Sequence, residues 1–339
     1  TINMERLNLV AKEIDKAITF VNQVYIPDLF AIASYYKDWT YGGGSQNFLV
    51  YGTLADQREK NDKNNVFPGG VILNRNLNEV YDVDLRDPEQ IQEFVDHAWY
   101  EYSGEQGGRH PWKGETKVKY SGPKPPYTQL DTNNKYSWIK TPLWRDKPME
   151  TGPLARMLVG YARGNYTIKT SIDDALNRLG LGQEALFSAL GRTLARGLET
   201  KIMVDYLKKC YNELLVNIKS GDQKVFEEQR WETSTWPTNC KGVGFTEAPR
   251  GSLGHWVKIN NGKVSLYQAV VPTTWNAAPE NQSGEKGSYE SALIDTPIVF
   301  PDKPLEILRI IHSFDPCIAC AAHFIDLKSR REIGQFLFH

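Results

Sequence analysis

Near its carboxyl end the chain reads Ser313-Phe314-Asp315-Pro316-Cys317-Ile318-Ala319-Cys320-Ala321-Ala322-His323. No other stretch constrains the fold as tightly. Two thiols three residues apart can face one ion only from a rigid turn, and thiolates suit zinc, iron and other borderline or soft metals. Pro316 fixes φ just ahead of the first thiol and biases Asp315 toward an extended backbone. Thiol spacing alone leaves several chemistries open. A dithiol of the thioredoxin kind needs a βαβ context that the pattern lacks, and c-type haem attachment needs a His where Ala321 stands. A structural zinc site needs two further ligands, for which Cys240 and His255 are candidates, and two plain core thiols are also compatible.

The chain has 339 residues, 24% charged and 40% hydrophobic, enough for one large or two medium domains. Four cysteines in that length do not make a disulfide framework, so reduced or metal-bound thiols are expected. A net charge of −1 gives no reason to expect a nucleic-acid or membrane-surface partner. No uninterrupted apolar run approaches the roughly 20 residues of a membrane span. Nine Trp and seventeen Tyr imply large buried contacts, including contacts with another subunit. Thr1-Ile2-Asn3 is neither a start methionine nor a signal peptide, and upstream sequence is expected.

Met4, Leu7, Ala11, Ile14, Ile18 and Val21 mark one face of a helix ending before Pro27, followed by an apolar run from Leu29 to Tyr36. Tyr41-Gly42-Gly43-Gly44-Ser45 is a loop whose spacing does not match a nucleotide motif. Short strands and turns are expected from Phe48 to Val83, and a helix from Asp87 to Tyr102 on the spacing of Ile91, Phe94, Val95 and Trp99. Residues 103–150 read as a long irregular segment in which His110 is a surface or turn residue. Gly152-Pro153 opens a helix to about Arg163, and the longest helix is expected from Gln183 to about Ser220. The spacing of four between its apolar residues makes the stripe spiral, as in a helix touched on several sides, and Cys210 on that stripe reads as a buried small hydrophobe. Asn260-Asn261-Gly262 signals a hairpin between Trp256–Ile259 and Val264–Val271, and Glu306 to Phe314 a short helix feeding the thiols.

Arg250 sits in a Pro-Arg-Gly turn, a rigid seat for a permanently charged planar fork. Beside a metal it would hydrogen-bond anionic ligands, and Asp315 would hold it in place. Glu247 to Trp256 (EAPRGSLGHW), Val271 to Asn276 (VPTTWN) and Asp315 to His323 (DPCIACAAH) resemble, in order and spacing, the large subunit of the nickel–iron hydrogenases. Gly152-Pro153-Leu154-Ala155-Arg156 and the stretch from Met4 to Trp39 fit the same family, so the resemblance covers essentially the whole chain.

The resemblance implies a mainly helical α+β subunit, with long helices in a central bundle and small sheets at its edges. It implies that Cys317 is a terminal thiolate on nickel and that Cys320 bridges nickel and iron, the iron also carrying cyanide and carbon monoxide. Arg250 would hang over the metals, bond one cyanide and act with Asp315 in the heterolysis of H2. Thr273 would donate to the second cyanide, and Pro249 and Leu253 would line the pocket of the diatomic ligands. His323 and the carbonyl of Ala269 would bind magnesium. Electrons would leave through iron–sulfur clusters in a separate small subunit, since this chain has no spare cysteines for a cluster. Further partners implied are a membrane cytochrome b, nickel chaperones and a maturation endopeptidase, at the periplasmic side of the inner membrane. The family's first Cys-x-x-Cys is absent here, so residues 1–323 read as the C-terminal portion of a large subunit, with half of the metal ligands elsewhere. Residues 324–339 read as a propeptide cut between His323 and Phe324. A relative of the complex I quinone-site subunit, which lacks the thiols, is the non-catalytic alternative; Cys317, Cys320 and Arg250 argue against it.

Overall fold

A computed structural model describes residues 3–55, 65–104, 107–125, 129–222, 230–317, 321–325 and 332–337, the last two segments as backbone only. The first helical pattern becomes α1 (Met4–Phe20), a π-helical turn (Val21–Tyr25) and α2 (Ile26–Tyr35) in one continuous run. The stop expected before Pro27 does not occur. Ile26 N bonds Val21 O across the wide turn, and Pro27, which has no N–H to give, is accommodated at the start of α2. The run Met4–Tyr35 is long and apolar enough, by length and composition, to cross a membrane, which the absence of an uninterrupted apolar stretch did not suggest. Here it lies along the longest helix, with Leu7 and Ile14 packed on Tyr211 and Tyr211 Oη donating to Leu7 O at 2.8 Å.

Four short strands follow: β1 (Phe48–Val50), β2 (Thr53–Ala55), β3 (Asn65–Phe67) and β4 (Gly70–Ile72). β1 pairs with β4 and β2 with β3, both antiparallel. The helix expected over 87–102 is absent. Its residues instead form β5 (Ile91–Phe94), paired with β8 (Thr141–Trp144), and β6 (Tyr100–Tyr102), paired with β7 (Thr116–Val118). Ile91, Glu93, Phe94, Val95, Ala98, Trp99 and Tyr102 are all buried, and the backbone of Ile91–Phe94 is taken up by pairing with Thr141–Trp144, a non-local contact that overrides the helical spacing. His110 lies here and is buried, not at the surface; it caps a 3₁₀ turn (Pro111–Lys113) by accepting from Trp112 N.

The core is helical. Apolar residues of α2, α3 (Pro153–Ala162), α4 (Tyr166–Leu179) and α5 (Ala189–Lys219) pack with Phe48, Val50, Phe67 and Ile72. A 3₁₀ turn (Gln183–Leu186) replaces the expected first turn of the longest helix, and Ser188 caps α5 by accepting from Gly191 N. Leu190, Leu194, Leu198 and Ile202 are buried, whereas Cys210 is only half-buried and Leu214 exposed, because α5 runs out past the core.

The second half carries the one sheet of three strands among the described residues: β9 (Cys240–Ala248), β10 (Gly251–Asn260) and β11 (Lys263–Val270), in the order β11-β10-β9. Asn261 and Gly262 both take positive φ at the β10–β11 turn, as a primed hairpin turn demands. α6 (Pro272–Asn276) leaves β11, and α7 (Ser288–Leu293) and α8 (Leu305–Ser313) follow. The chain ends in a hairpin of β12 (Ala321–Ile325) and β13 (Glu332–Leu337). This is the expected α+β arrangement, a helical core with small sheets at its margins.

Candidate metal centre

Four motifs far apart in sequence meet where α3, α6 and the ends of β9 and α8 come together. The Arg250 turn joins β9 to β10, and Arg250 reaches the loop after α8. Its Nε donates to Asp315 O at 2.7 Å and its Nη2 to Asp315 Oδ1 at 3.3 Å. Two residues on, Cys317 N donates to Thr273 Oγ1 of α6 at 3.3 Å. Thr273 is buried, and with its oxygen accepting from the backbone, its own O–H is available to a further acceptor. Cys317 is an exposed free thiol.

Asp315 is not extended, as the following proline had suggested; its φ is +54°. It sits just past the C-cap of α8, where a left-handed residue is the usual way to stop a helix, and its N bonds His312 O at 2.9 Å. Aspartate tolerates this region better than most side chains. Two arginines one helical turn apart on α5 fix the approach. Arg192 lies over the Phe314 ring and donates to Glu150 at 2.7 and 2.9 Å and to Gly42 O at 2.6 Å, while Arg196 Nη2 donates to Ser313 O at 2.8 Å. Burial pulls the Arg196 pKa down, with Asp315 and Glu199 opposing.

The Arg250 turn is held from behind by Arg156, the last residue of the Gly-Pro-Leu-Ala-Arg motif. Arg156 Nη1 donates to Glu247 Oε2 and to Ala248 O, each at 2.9 Å, and Nη2 to Pro249 O at 2.8 Å and Glu199 Oε2 at 3.0 Å; Nε donates to Glu199 Oε1. Burial alone would lower the Arg156 pKa, but Glu199 and Glu247 together raise it, so the cation is secure. Glu247 accepts also from Tyr51 N and Ser252 Oγ. Asn276 of α6 bonds both Thr151 N and Thr151 O, tying the VPTTWN helix to the residue before Gly152. A cleft of about 460 Å³ opens onto Pro249 and Asp315 between Arg156, Arg196, Glu199 and Glu247.

The structure brings Arg250, Asp315, Cys317 and Thr273 together. Pro249 is exposed beside Arg250, Leu253 half-buried on β10, and Ala269 at the end of β11 opposite His255. Cys320 lies outside the described residues, and of His323 and Phe324 only the backbone, on β12, is described. The zinc alternative loses its ligands: Cys240 pairs with Ile259, four residues along β10 from His255, or about 13 Å at strand rise. His255 Nδ1 is instead engaged by Tyr267 Oη at 2.5 Å. Glu199, Arg192 and Arg196 were missed, although they are the three charged residues of the stretch 189–200, at spacings of four and three, which is a legible signal.

The nickel-dependent hydrogenase family model matches residues 1–323. This chain belongs to that family. Among its relatives, the uptake hydrogenase large subunit of Rhizobium leguminosarum bv. viciae is 50% identical over 331 residues, covering 95% of this chain and 56% of the relative. The hydrogenase-1 large chain of Escherichia coli (strain K12) is 45% identical over 333 residues, covering 96% and 56%. The hydrogenase fold is shared in solved structures. The Ni-Fe-Se hydrogenase from D. vulgaris Hildenborough in the reduced state superposes with a TM-score of 0.74 at 31% identity, covering 93% of this chain and 61% of that one. A reduced, active Ni-Fe-Se hydrogenase from Desulfomicrobium baculatum gives 0.73 at 28%, covering 92% and 59%. The chain thus spans just over half the length of the relatives it matches.

Its residues fit one flank of a nickel centre. Cys317 is a soft donor, Thr273 offers a free hydroxyl, and Arg250 brings a fixed cation balanced by Asp315.

Proposed function

We propose that this chain is the part of a nickel–iron hydrogenase large subunit that carries Arg250, Asp315 and one thiolate pair, and that the complete subunit catalyses reversible heterolytic cleavage of H2. The observation that carries this reading is the Arg250 fork on Asp315, with Cys317 two residues further and locked to Thr273. Cys317 and Cys320 would hold the nickel–iron pair from this side, and it would supply a Lewis-acid centre for H2. Arg250 keeps its charge at any relevant pH, and its N–H groups not bonded to Asp315 would bond an anionic cyanide and stabilise negative charge as it develops. Asp315 Oδ1 holds the guanidinium, leaving Oδ2 to accept a proton. Thr273 O–H would donate to the second cyanide, and Pro249 and Leu253 would line the pocket of the diatomic ligands. His323 and the Ala269 carbonyl would bind magnesium.

Electrons pass to a small subunit with iron–sulfur clusters and on to a membrane cytochrome b at the periplasmic face. Nickel chaperones load the site, and an endopeptidase cuts between His323 and Phe324; the family match, which ends at His323, supports that position. The non-catalytic alternative is disfavoured because the thiols and Arg250 are retained.

The test uses the full-length large subunit produced with its small subunit and maturation factors. It should contain nickel and oxidise H2. Arg250→Lys should keep nickel but lower turnover at least ~100-fold, because one ammonium cannot make both bonds to Asp315 while facing the cleft. Near-normal H2 oxidation in that variant would remove Arg250 from the mechanism.

A further inference from the structure

We propose that Arg156 is a positioning residue for Arg250, and that its role in H2 turnover is to aim the Arg250 guanidinium. The proposal rests on the hydrogenase reading of the site. All five N–H donors of Arg156 are used: two on Glu199, one on Glu247, one on Ala248 O and one on Pro249 O. Three of those acceptors belong to Glu247, Ala248 and Pro249, the three residues that lead directly into Arg250. The side chain is almost fully buried, and it leaves α3 from an otherwise apolar run. Burying a charge there is favourable only while every donor is answered, so the geometry of these three residues is tightly determined.

The opposite side of the turn is fixed as well. Gly152 (φ +124°) and Gly251 (φ +134°) stand back to back across the gap between α3 and the turn. A methyl at Gly152 would lie 3.0 Å from Arg250 O, and one at Gly251 would collide with Thr151 Oγ1 and approach Gly152 N to 2.7 Å. The backbone of Arg250 is thus pressed against the start of α3, and the three residues before it are bonded to Arg156 of the same helix. Only the side chain remains free, and it spans to Asp315. A small shift of the turn moves the far end of the fork by more, and misplacement by about 1 Å can cost on the order of 100-fold in rate.

Arg156→Lys keeps the charge but cannot answer Glu199, Glu247 and two carbonyls at once. In the holoenzyme complex it should retain nickel and lower turnover between about 10- and 100-fold. In the Arg250→Lys background the same change should cost less than about twofold, since there is no fork left to aim. A crystal structure of the Arg156→Lys complex should show the bond from Arg250 Nε to Asp315 O broken. Effects that multiply in the double variant, or an intact bond beside reduced turnover, would overturn the proposal. If Arg156→Lys does not assemble, Glu199→Gln carries the same test, because it keeps the arginine but replaces an acceptor that aims it. If the wild-type complex neither binds nickel nor oxidises H2, the hydrogenase reading fails, and the crystal structures alone decide whether Arg156 places Arg250.

Discussion

Arg250 was readable through the family motif around it, since the Pro-Arg-Gly turn alone is equally compatible with a surface ion pair, and Cys317 because thiol spacing is chemical in itself. Arg156 was equally visible as a letter, yet its role depends on carbonyls ninety residues away, which no local pattern encodes. His110 shows the same limit, because its burial comes from tertiary contacts: its ring meets Trp112 and Trp256, and Nε2 lies 3.2 Å from Leu85 O. Since Nδ1 accepts from Trp112 N, the buried ring is neutral and donates through Nε2. Burial lowers its pKa below the ordinary 6.5. The unfolded chain therefore takes up this proton first, so the contribution to stability is full above about pH 6.5 and lost as pH falls from there toward the folded value. Urea unfolding between pH 7.5 and 5.5 should show this loss in the wild type and a flatter dependence in His110→Gln. Glu290, whose pKa burial raises, acts in the opposite sense as pH rises above about 4.5, so the difference between the two proteins is the quantity to compare. Equal slopes would exclude His110.

Among the elements, the hairpin and α3 were legible because turn residues and a proline at the first helical position act locally. The segment 87–102 was not. Its apolar spacing suits a helix, but pairing of Ile91–Phe94 with Thr141–Trp144 and burial on both sides decide the outcome, and both are non-local. α5 illustrates the energetic side. Arg192 and Glu150 form a bidentate pair in which both side chains are almost fully buried, tying α5 to the segment before α3 and, through Ser313, to the end of α8. Arg192→Met would leave Glu150 as an uncompensated buried charge and should cost about 3–5 kcal/mol. Adding Glu150→Met should recover much of that loss. Chemical denaturation of the two singles and the double checks it; a double variant less stable than either single would show that the pair contributes a net gain beyond mutual compensation.

Across the whole molecule, single helices and turns follow from periodicity and turn chemistry, the helical core with marginal sheets was implied by the family resemblance, and the convergence of residues 152–156, 247–256, 271–276 and 313–317 follows from topology. The described surface also carries apolar groups that this core does not use. Met4, Leu9, Val10, Phe20 and Val24 on the first helical run, and Met203, Leu207, Leu214 and Val216 on α5, are exposed although the two helices pack together. Where such groups join into one patch, the patch drives association or is covered by a partner. The 339-residue chain alone should therefore bind a hydrophobic dye and sediment as concentration-dependent oligomers, whereas the full-length subunit in complex with its small subunit should do neither. Replacing Phe20 and Val24 by Ser should reduce both effects while moving stability by no more than about 0.5 kcal/mol, because neither side chain belongs to the packed core. A monomeric, dye-silent chain would mean that these side chains form no continuous patch in solution. Unchanged association in the double variant would move the sticky surface to α5.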